Sequence, residues 1–338
     1  MSRTASRWAK AAAGLLVTAA FLWLLLRHVD LRGLAGAFAD LPGPSLLLAA
    51  AFLAAGYAVR IVRWWWMLRA LDPTLPLSAC VGPFLGSIAV NNTVPFRAGD
   101  ALRVVAFREQ LQAPPLRVLG TLVLERLLDV VVLLAFFFAG VLGLPPGAFP
   151  GRFISAAAWL AGGSLVAVSA LILLGPWVPV LVRALASRPG LVARGWSEPI
   201  HRFGMTLADA LNLLRAPARL ATLLGLSVLT WMLEGAVFAT VARCFATGAA
   251  EAGPWFALAT ATLATSLPSS PGYVGTFDYF AVLGLMAYGA TREAAVAFAL
   301  TVHAVLWLPL TALGLGYLLL RGQGLWRRAV SGSAPGEH

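Results

Sequence analysis

The sequence predicts an all-α polytopic membrane protein of about six full spans plus two re-entrant broken helical hairpins in an inverted repeat, with both termini inside. Three observations carry this. Of 338 residues, 60% are hydrophobic and 12% charged, with a mean hydropathy of +0.83, against about 25% charged residues in a soluble domain. Apolar runs near the length of about 20 residues that crosses a bilayer recur along the chain. Two polar, helix-breaking stretches, residues 91–100 and 268–278, interrupt it about half a chain apart.

Arg3, Arg7 and Lys10 precede the first apolar run, residues 11–26. Ala35-Gly36-Ala37 resembles a cleavage site, but the length of the run and the charged exit at Arg27, His28, Asp30 and Arg32 suit a first span with its N-terminus inside. A second span over residues 44–70 ends in Arg60, Arg63, Trp64, Trp65, Trp66 and Arg69, a basic and aromatic cluster that marks the cytoplasmic face. Arg60 and Arg63 either snorkel as anchors or face a lipid phosphate.

The segment 78–109 holds the first broken stretch, and the pieces on either side are too short to cross, which favours a re-entrant pair. Asn91-Asn92-Thr93 matches a glycosylation sequon, discounted at this depth. Residues 116–142 form a span with Glu125, Arg126 and Asp129 near its middle. A charge there costs about 2.5–3.5 kcal/mol on insertion scales and is by default a site hypothesis. Arg126 and Asp129, at i, i+3, can also simply neutralise each other.

A turn-rich loop at Pro145-Pro146-Gly147 leads to a span over 154–181. The interval 183–219 holds Arg183, Arg188, Arg194, His201, Arg202, Arg215 and Arg219 with few acids, so it is assigned to the cytoplasm. Its middle, 191–214, reads as an amphipathic surface helix. Spans follow at 220–245 and 294–320, with the second broken segment, 254–289, between them. The acidic loop at Glu251 lies outside; the tail with Arg321, Arg327 and Arg328 lies inside.

The chain thus reads as one membrane domain over 1–338, with repeat one at 44–142, a surface linker at 183–219 and repeat two at 217–321. Pro95 to Gly99 matches Pro271 to Gly275, and one extra residue in the next turn sets Arg126 on His303. Each repeat is span, broken hairpin, span, the first hairpin opening from the cytoplasmic side and the second from outside. Interrupted helices at matching positions point to a midplane substrate site and alternating access. The breaking residues are Pro95, Gly99, Pro268, Pro271, Gly272 and Gly275.

Composition and motifs exclude much else. Cys80 and Cys244 lie far apart in apolar segments, with no metal spacing or disulfide framework. The four histidines are scattered, and no HExxH, P-loop or Gly-x-Ser-x-Gly element occurs. No cofactor, no metal and no soluble-enzyme chemistry are expected. The net charge of +11 is assigned to bilayer orientation and anionic headgroups, not to nucleic acid.

At the broken stretches the chain resembles the lysylphosphatidylglycerol synthase transmembrane (flippase-like) family. Pro95-Phe96-Arg97-Ala98-Gly99-Asp100, with Arg103 downstream, is similar to its Pro-x-Arg-x-Gly-Glu/Asp element. Glu125-Arg126-Leu127-Leu128-Asp129 is similar to its Glu-Arg-x-x-Asp element. Pro268…Pro271-Gly272-Tyr273-Val274-Gly275…Asp278 is similar to its Pro-x-x-Pro-Gly-Gly-x-Gly-x-x-Glu element. The resemblance covers residues 52–320 and departs at Tyr273, in place of a glycine, and at His303, where many members carry arginine. It implies a membrane domain that moves or binds a lipid. The soluble aminoacyl-transferase domain of the synthases is not expected within these 338 residues, so synthase activity is not implied.

The residues expected to meet a lipid headgroup are Arg97 and Arg126, with Arg60, Arg63 and Arg103, since guanidinium fits phosphate oxygens bidentately. Asp100, Glu125, Asp129 and Asp278 orient those arginines or pair with a cationic head. Asn91, Asn92, Ser269, Ser270, Tyr273 and His303 complete the set. Glu125, Asp278 and His303 are candidate proton carriers. The expected partners are membrane lipids, whether phospholipid, polyprenyl-phosphate or glycolipid, in the cytoplasmic membrane of a prokaryote. The competing readings are an accessory lipid-binding subunit serving a biosynthetic enzyme, and a membrane-embedded lipid-modifying enzyme built on Asp100, Glu125 and Asp129.

Overall fold

A computed structural model describes residues 41–94 except 71, 97–111, 113–174, 177–187, 216–266 except 246, and 271–331, with isolated positions between 19 and 38 and at 198, 201 and 205. The expected first span and surface helix lie largely outside the described residues, as do Pro95, Pro268, Ser269 and Ser270.

The described residues build helices in this order: α1 (Gly43–Arg69), α2 (Ser78–Thr93), α3 (Ala98–Val105), a turn at Arg108–Leu111, α4 (Pro115–Leu142), α5 (Gly151–Leu174), α6 (Val178–Ala186), α7 (Pro217–Ala242), α8 (Gly253–Ala264), a short 3-10 turn (Pro271–Tyr273), α9 (Thr276–Met286) and α10 (Arg292–Ser331). Several begin on proline in the first turn, among them α1, α4, α7 and α8. There the missing N–H costs nothing and the fixed φ is already helical.

Among the described residues, three helices are long and apolar enough to cross a membrane: α1, α7 and the Arg292–Arg321 part of α10. By contrast the 16 residues of α2, 8 of α3, 12 of α8 and 11 of α9 fall short of the roughly 20 that reach across. α4 has 28 residues, about 42 Å of rise, and is set apart by Glu125, Arg126 and Asp129.

Three local expectations change. The open backbone expected over 91–100 is much shorter, because α2 continues through Asn91 and Asn92 to Thr93. Among the described residues of that stretch, Val94, before Pro95, is extended, at φ −117 and ψ 135, as the steric demand of a following proline requires. The span expected over 154–181 is two helices, α5 ending at Leu174 and α6 starting at Val178. In the Trp64-Trp65-Trp66 cluster, Trp64 is no interface residue: it is fully buried and donates to Thr121 Oγ1 at 3.1 Å.

Packing crosses between the halves. α1 lies against α7, α2 against α10 and α4 against α8, so the first limb of each hairpin rests on the long closing helix of the other half. Within each hairpin the limbs pack together, α2 on α3 and α8 on α9. The first closes tightly because residue 99 is glycine, where a Cβ would run into the Ser87 carbonyl. Large apolar side chains such as Leu47, Leu142, Val166 and Leu319 stay exposed, which suits a lipid surround.

Candidate functional site

The site is built on the first turn of α3. Arg97 sits just before it in the left-handed region, at φ 52 and ψ 40, a conformation that costs a side-chain-bearing residue about 1–2 kcal/mol. Asp100 follows in the first turn, where the helix dipole favours an acid. Its backbone N–H donates to Asn91 Oδ1 at 3.2 Å, and Asn91 Nδ2 donates back to its carboxylate at 2.9 Å. This reciprocal clamp ties the two limbs of the hairpin. From α4, Arg126 reaches both Asp100 oxygens at 3.4 Å, and Arg103 approaches within 3.9 Å.

Beneath this lies a fully buried layer. Arg103 donates to Ser87 Oγ at 3.2 Å and to Glu125 at 3.4 Å, its guanidinium 4.8 Å from the Trp64 ring centre and 4.5 Å from that of Phe84. Arg63 grips Asp129 with two bonds, at 2.6 and 3.2 Å, and donates to Ser227 Oγ at 2.6 Å. Glu125 is 3.8 Å from Arg63, and the Trp231 indole donates to Asp129 at 3.2 Å. Asp129 therefore pairs with Arg63 across to α1 and not with Arg126 on its own helix. Such pairs are held against the cost of leaving water only when the geometry is good and the remaining lone pairs are filled.

Arg60, one turn before Arg63, pairs with Glu234 of α7 at 2.7 Å. It lies 5.0 Å from the ring centre of Tyr57 and 4.7 Å from that of Trp231. Arg60, Arg63 and Arg103 are thus engaged with carboxylates inside the helix packing.

The second hairpin repeats the plan. α9 is preceded by Gly275 at φ 83, and Asp278 is the third residue of the helix. Asp278 Oδ2 accepts from the Gly275 N–H at 2.8 Å, while His303 of α10 places Nδ1 2.8 Å from Oδ1 and Nε2 2.9 Å from the Gly272 carbonyl. Counted from the helix starts, Asp100 corresponds to Asp278 and Arg126 to His303, so the acids align two residues away from the register that sets Gly99 on Gly275.

The tips of the hairpins touch. Arg97 donates through Nε to the Tyr273 hydroxyl at 3.1 Å and through Nη2 to the Thr265 carbonyl at 3.5 Å. The Trp307 indole donates to the Asn92 carbonyl at 3.3 Å, and Asn92 Nδ2 to Thr311 Oγ1 at 2.9 Å. Among the positive-φ residues at the tips, Arg97, Gly272, Tyr273 and Gly275, Gly272 has the clearest reason: at φ 69 it lies where a Cβ would press on the Trp307 indole nitrogen.

A groove of about 660 Å³ runs along α3, α4 and α5, walled by Val104, Leu119, Val123, Leu127 and Leu160. Asp100, Arg126 and Ser164 supply its polar lining. The Arg126 side chain is 40% exposed, whereas those of Arg63 and Arg103 are fully buried. Arg97 is not part of the groove lining, but both it and Arg126 lie within electrostatic reach of Asp100.

The structure thus gathers Asn91, Asp100, Arg103, Glu125, Arg126, Asp129 and Arg63 into one connected network, while the Arg97 side chain turns to Tyr273 and the Thr265 carbonyl. Asn92, Asp278 and His303 lie at the tips, and Ser269 and Ser270 fall outside the described residues. Sequence reasoning missed Glu234, Trp231, Ser87 and Ser227. Glu234, an acid in the interior of an apolar helix, carried the same signal as Glu125; the others are ordinary core residue types with no signal of their own. Among the described residues, no group of three or more His, Cys, Asp or Glu side chains is placed to hold a metal ion.

Comparison with curated proteins finds no match. The family model for the lysylphosphatidylglycerol synthase TM region, however, matches residues 11–314. That stretch contains both hairpins and every charged residue of the network, and the chain belongs to the lysylphosphatidylglycerol synthase TM region family.

Proposed function

We propose that this membrane protein binds an anionic lipid by its headgroup at Arg126 and passes it between leaflets. The observation that carries the reading is a single arginine side chain, 40% exposed, in a groove whose walls are otherwise mostly aliphatic. A phosphate or other anionic head meets Arg126, oriented by Asp100, while the acyl or prenyl tail lies along Val104, Leu119 and Val123. Phospholipid, polyprenyl-phosphate and phosphate-bearing glycolipid all have this form.

Movement between leaflets is supported by the internal correspondence. The crossed packing of α2 on α10 and α4 on α8, with acid and base at matching positions, is what two inverted repeats of span, re-entrant hairpin and span produce. In such proteins one repeat rocks against the other about a midplane site. With α4, α5 and the first apolar run counted as crossing, the chain has about six spans, and we assign it to the cytoplasmic membrane of a prokaryote. Catalysis is not part of the proposal, because Asp100, Glu125 and Asp129, the acids a lipid-modifying enzyme would use, are each held by guanidinium groups.

The test is reconstitution in vesicles carrying headgroup-labelled fluorescent phosphatidylglycerol, with dithionite added outside. Expected is quenching of well over half the label with the parent protein and only the outer-leaflet half with Arg126→Gln. Lipid retained by the purified protein without transfer moves the assignment to an accessory subunit of a biosynthetic enzyme. Lipid chemically altered in detergent, where there is no second leaflet, moves it to an enzyme.

A further inference from the structure

His303 faces an acceptor at each ring nitrogen. Nδ1 lies 2.8 Å from Asp278 Oδ1, and Nε2 lies 2.9 Å from the Gly272 carbonyl oxygen. A carbonyl oxygen only accepts, and the other Asp278 oxygen already accepts the Gly275 N–H at 2.8 Å. A neutral imidazole carries one N–H. Satisfying both contacts therefore takes one proton more than a neutral imidazole and a carboxylate hold between them. The count is the same for imidazolium beside carboxylate and for neutral imidazole beside a protonated carboxyl; the proton belongs to the pair.

We propose that His303 and Asp278 form a proton-binding site, and that the bound proton holds the tips of the two hairpins together.

Without that proton, a nitrogen lone pair faces an oxygen lone pair on one side of the ring. The Asp278 side is fixed, since that carboxylate is 1% exposed and anchored in the first turn of α9 through Gly275. The Gly272 side is a short turn, Pro271–Tyr273, with Gly272 at φ 69 and Tyr273 at φ 59. A tyrosine in the left-handed region is held there against its own preference, so this turn is the part that yields. Its release is felt by the first hairpin, because Tyr273 accepts the bond from Arg97. Trp307, one helical turn beyond His303, lies close to Gly272 and also holds the Asn92 carbonyl. The charged and titratable groups about the pair are Asp278 from α9, Tyr273 from the turn and, through Tyr273, Arg97 at the start of α3. Phe277 packs its ring 5.0 Å from the imidazole. The proton enters and leaves at the accessible edge of His303, whose side chain is 15% exposed.

In a lipid translocator, a proton that closes the tips and leaves when they part is a coupling ion. That consequence rests on the translocation reading; the proton site does not.

The experiment is a distance measurement on the full chain in detergent. Val94 and Val274, both exposed beside the tips, are changed to cysteine and spin-labelled, with Cys80→Ala and Cys244→Ala to remove native thiols. Double electron–electron resonance is recorded from about pH 5 to about pH 9. Expected in the parent is a near population whose ratio to a far one falls about tenfold as pH rises, the scale of one lost hydrogen bond to a charged group. Asp278→Asn keeps a non-titrating donor toward Nδ1, and His303→Arg keeps a charge that does not titrate, so each stays near across the range. Either variant suffices if the other does not fold. A parent distribution that ignores pH, or variants that keep the parent's pH profile, overturns the proposal. Distances that follow pH in a protein that moves no lipid leave the proton site standing and remove the translocation reading.

Discussion

Arg126 lies 3.4 Å from both carboxylate oxygens of Asp100 and still exposes 40% of its side chain to the groove. The carboxylate fixes the direction of the guanidinium without consuming its capacity, since five N–H donors serve one acid. A ligand with an oxyanion is met by a base already aimed.

Replacing Arg126 with Gln removes the charge from the groove while Asp100 keeps Asn91 and the approach of Arg103. Retention of anionic lipid, read by native mass spectrometry, falls at least tenfold, from a charge-assisted bond of about 1.5–3 kcal/mol. Thermal stability in detergent changes little. Arg126→Lys keeps the charge but not the fork and lies between the two.

Asp129→Ala takes both carboxylate hydrogen bonds from the fully buried Arg63, leaving it Ser227 Oγ and the longer 3.8 Å approach to Glu125. The loss is about 3–5 kcal/mol, seen as a large fall in the unfolding temperature of the purified protein. The double change Arg63→Met with Asp129→Leu recovers most of it, because no unpaired charge is then left at that place and Glu125 keeps Arg103. Failure of the double variant to exceed the single one would show that the pair does more than neutralise itself.

Arg60 and Glu234 join α1 to α7 across a 2.7 Å contact with side chains only 12% and 11% exposed. In a double-mutant cycle with Arg60→Met and Glu234→Gln, the coupling energy is about 2 kcal/mol, toward the upper range for contacting residues. A value within a few tenths of zero would make the contact incidental.

Gly99→Ala places a methyl group against the Ser87 carbonyl and pushes the limbs of the first hairpin apart. The cost is about 3 kcal/mol, as for other forced overpacking. Gly316→Ala in α10, where nothing lies within 4 Å of the added carbon, raises stability by about 0.5–1 kcal/mol. Comparing expression and unfolding of the two separates close approach from a general effect of removing glycine.

Much of the architecture was legible because membrane segments announce themselves by length. The ranges 44–70 and 116–142 lie within a residue or two of α1 and α4, since proline marks the start of each helix and loss of apolar periodicity marks the end. The two breaks were legible from proline and glycine. Their extent was not: Asn91 and Asn92 are polar, yet they complete the last turn of α2, because α3 and α10 supply partners for their amides. Polarity alone does not distinguish an unwound residue from a helical one with a hydrogen-bonded side chain.

Composition, charge spacing and the two interrupted segments determined by themselves that this is a helical membrane protein, with Asp100, Glu125, Arg126 and Asp129 as the charges needing an explanation. Only the tertiary structure decided who neutralises whom. Arg63 and Arg126 stand on different helices, 66 and 26 residues from the acids they hold, and a one-dimensional reading offers Arg126 a nearer partner, Asp129. The helix packing overrides it: α1 brings a buried guanidinium to Asp129, α3 brings Asp100 to Arg126, and with Asp129 occupied Arg126 is left facing the groove. Ion pairing in a low-dielectric interior depends on distance through space, and sequence separation does not encode that distance until the helices are packed.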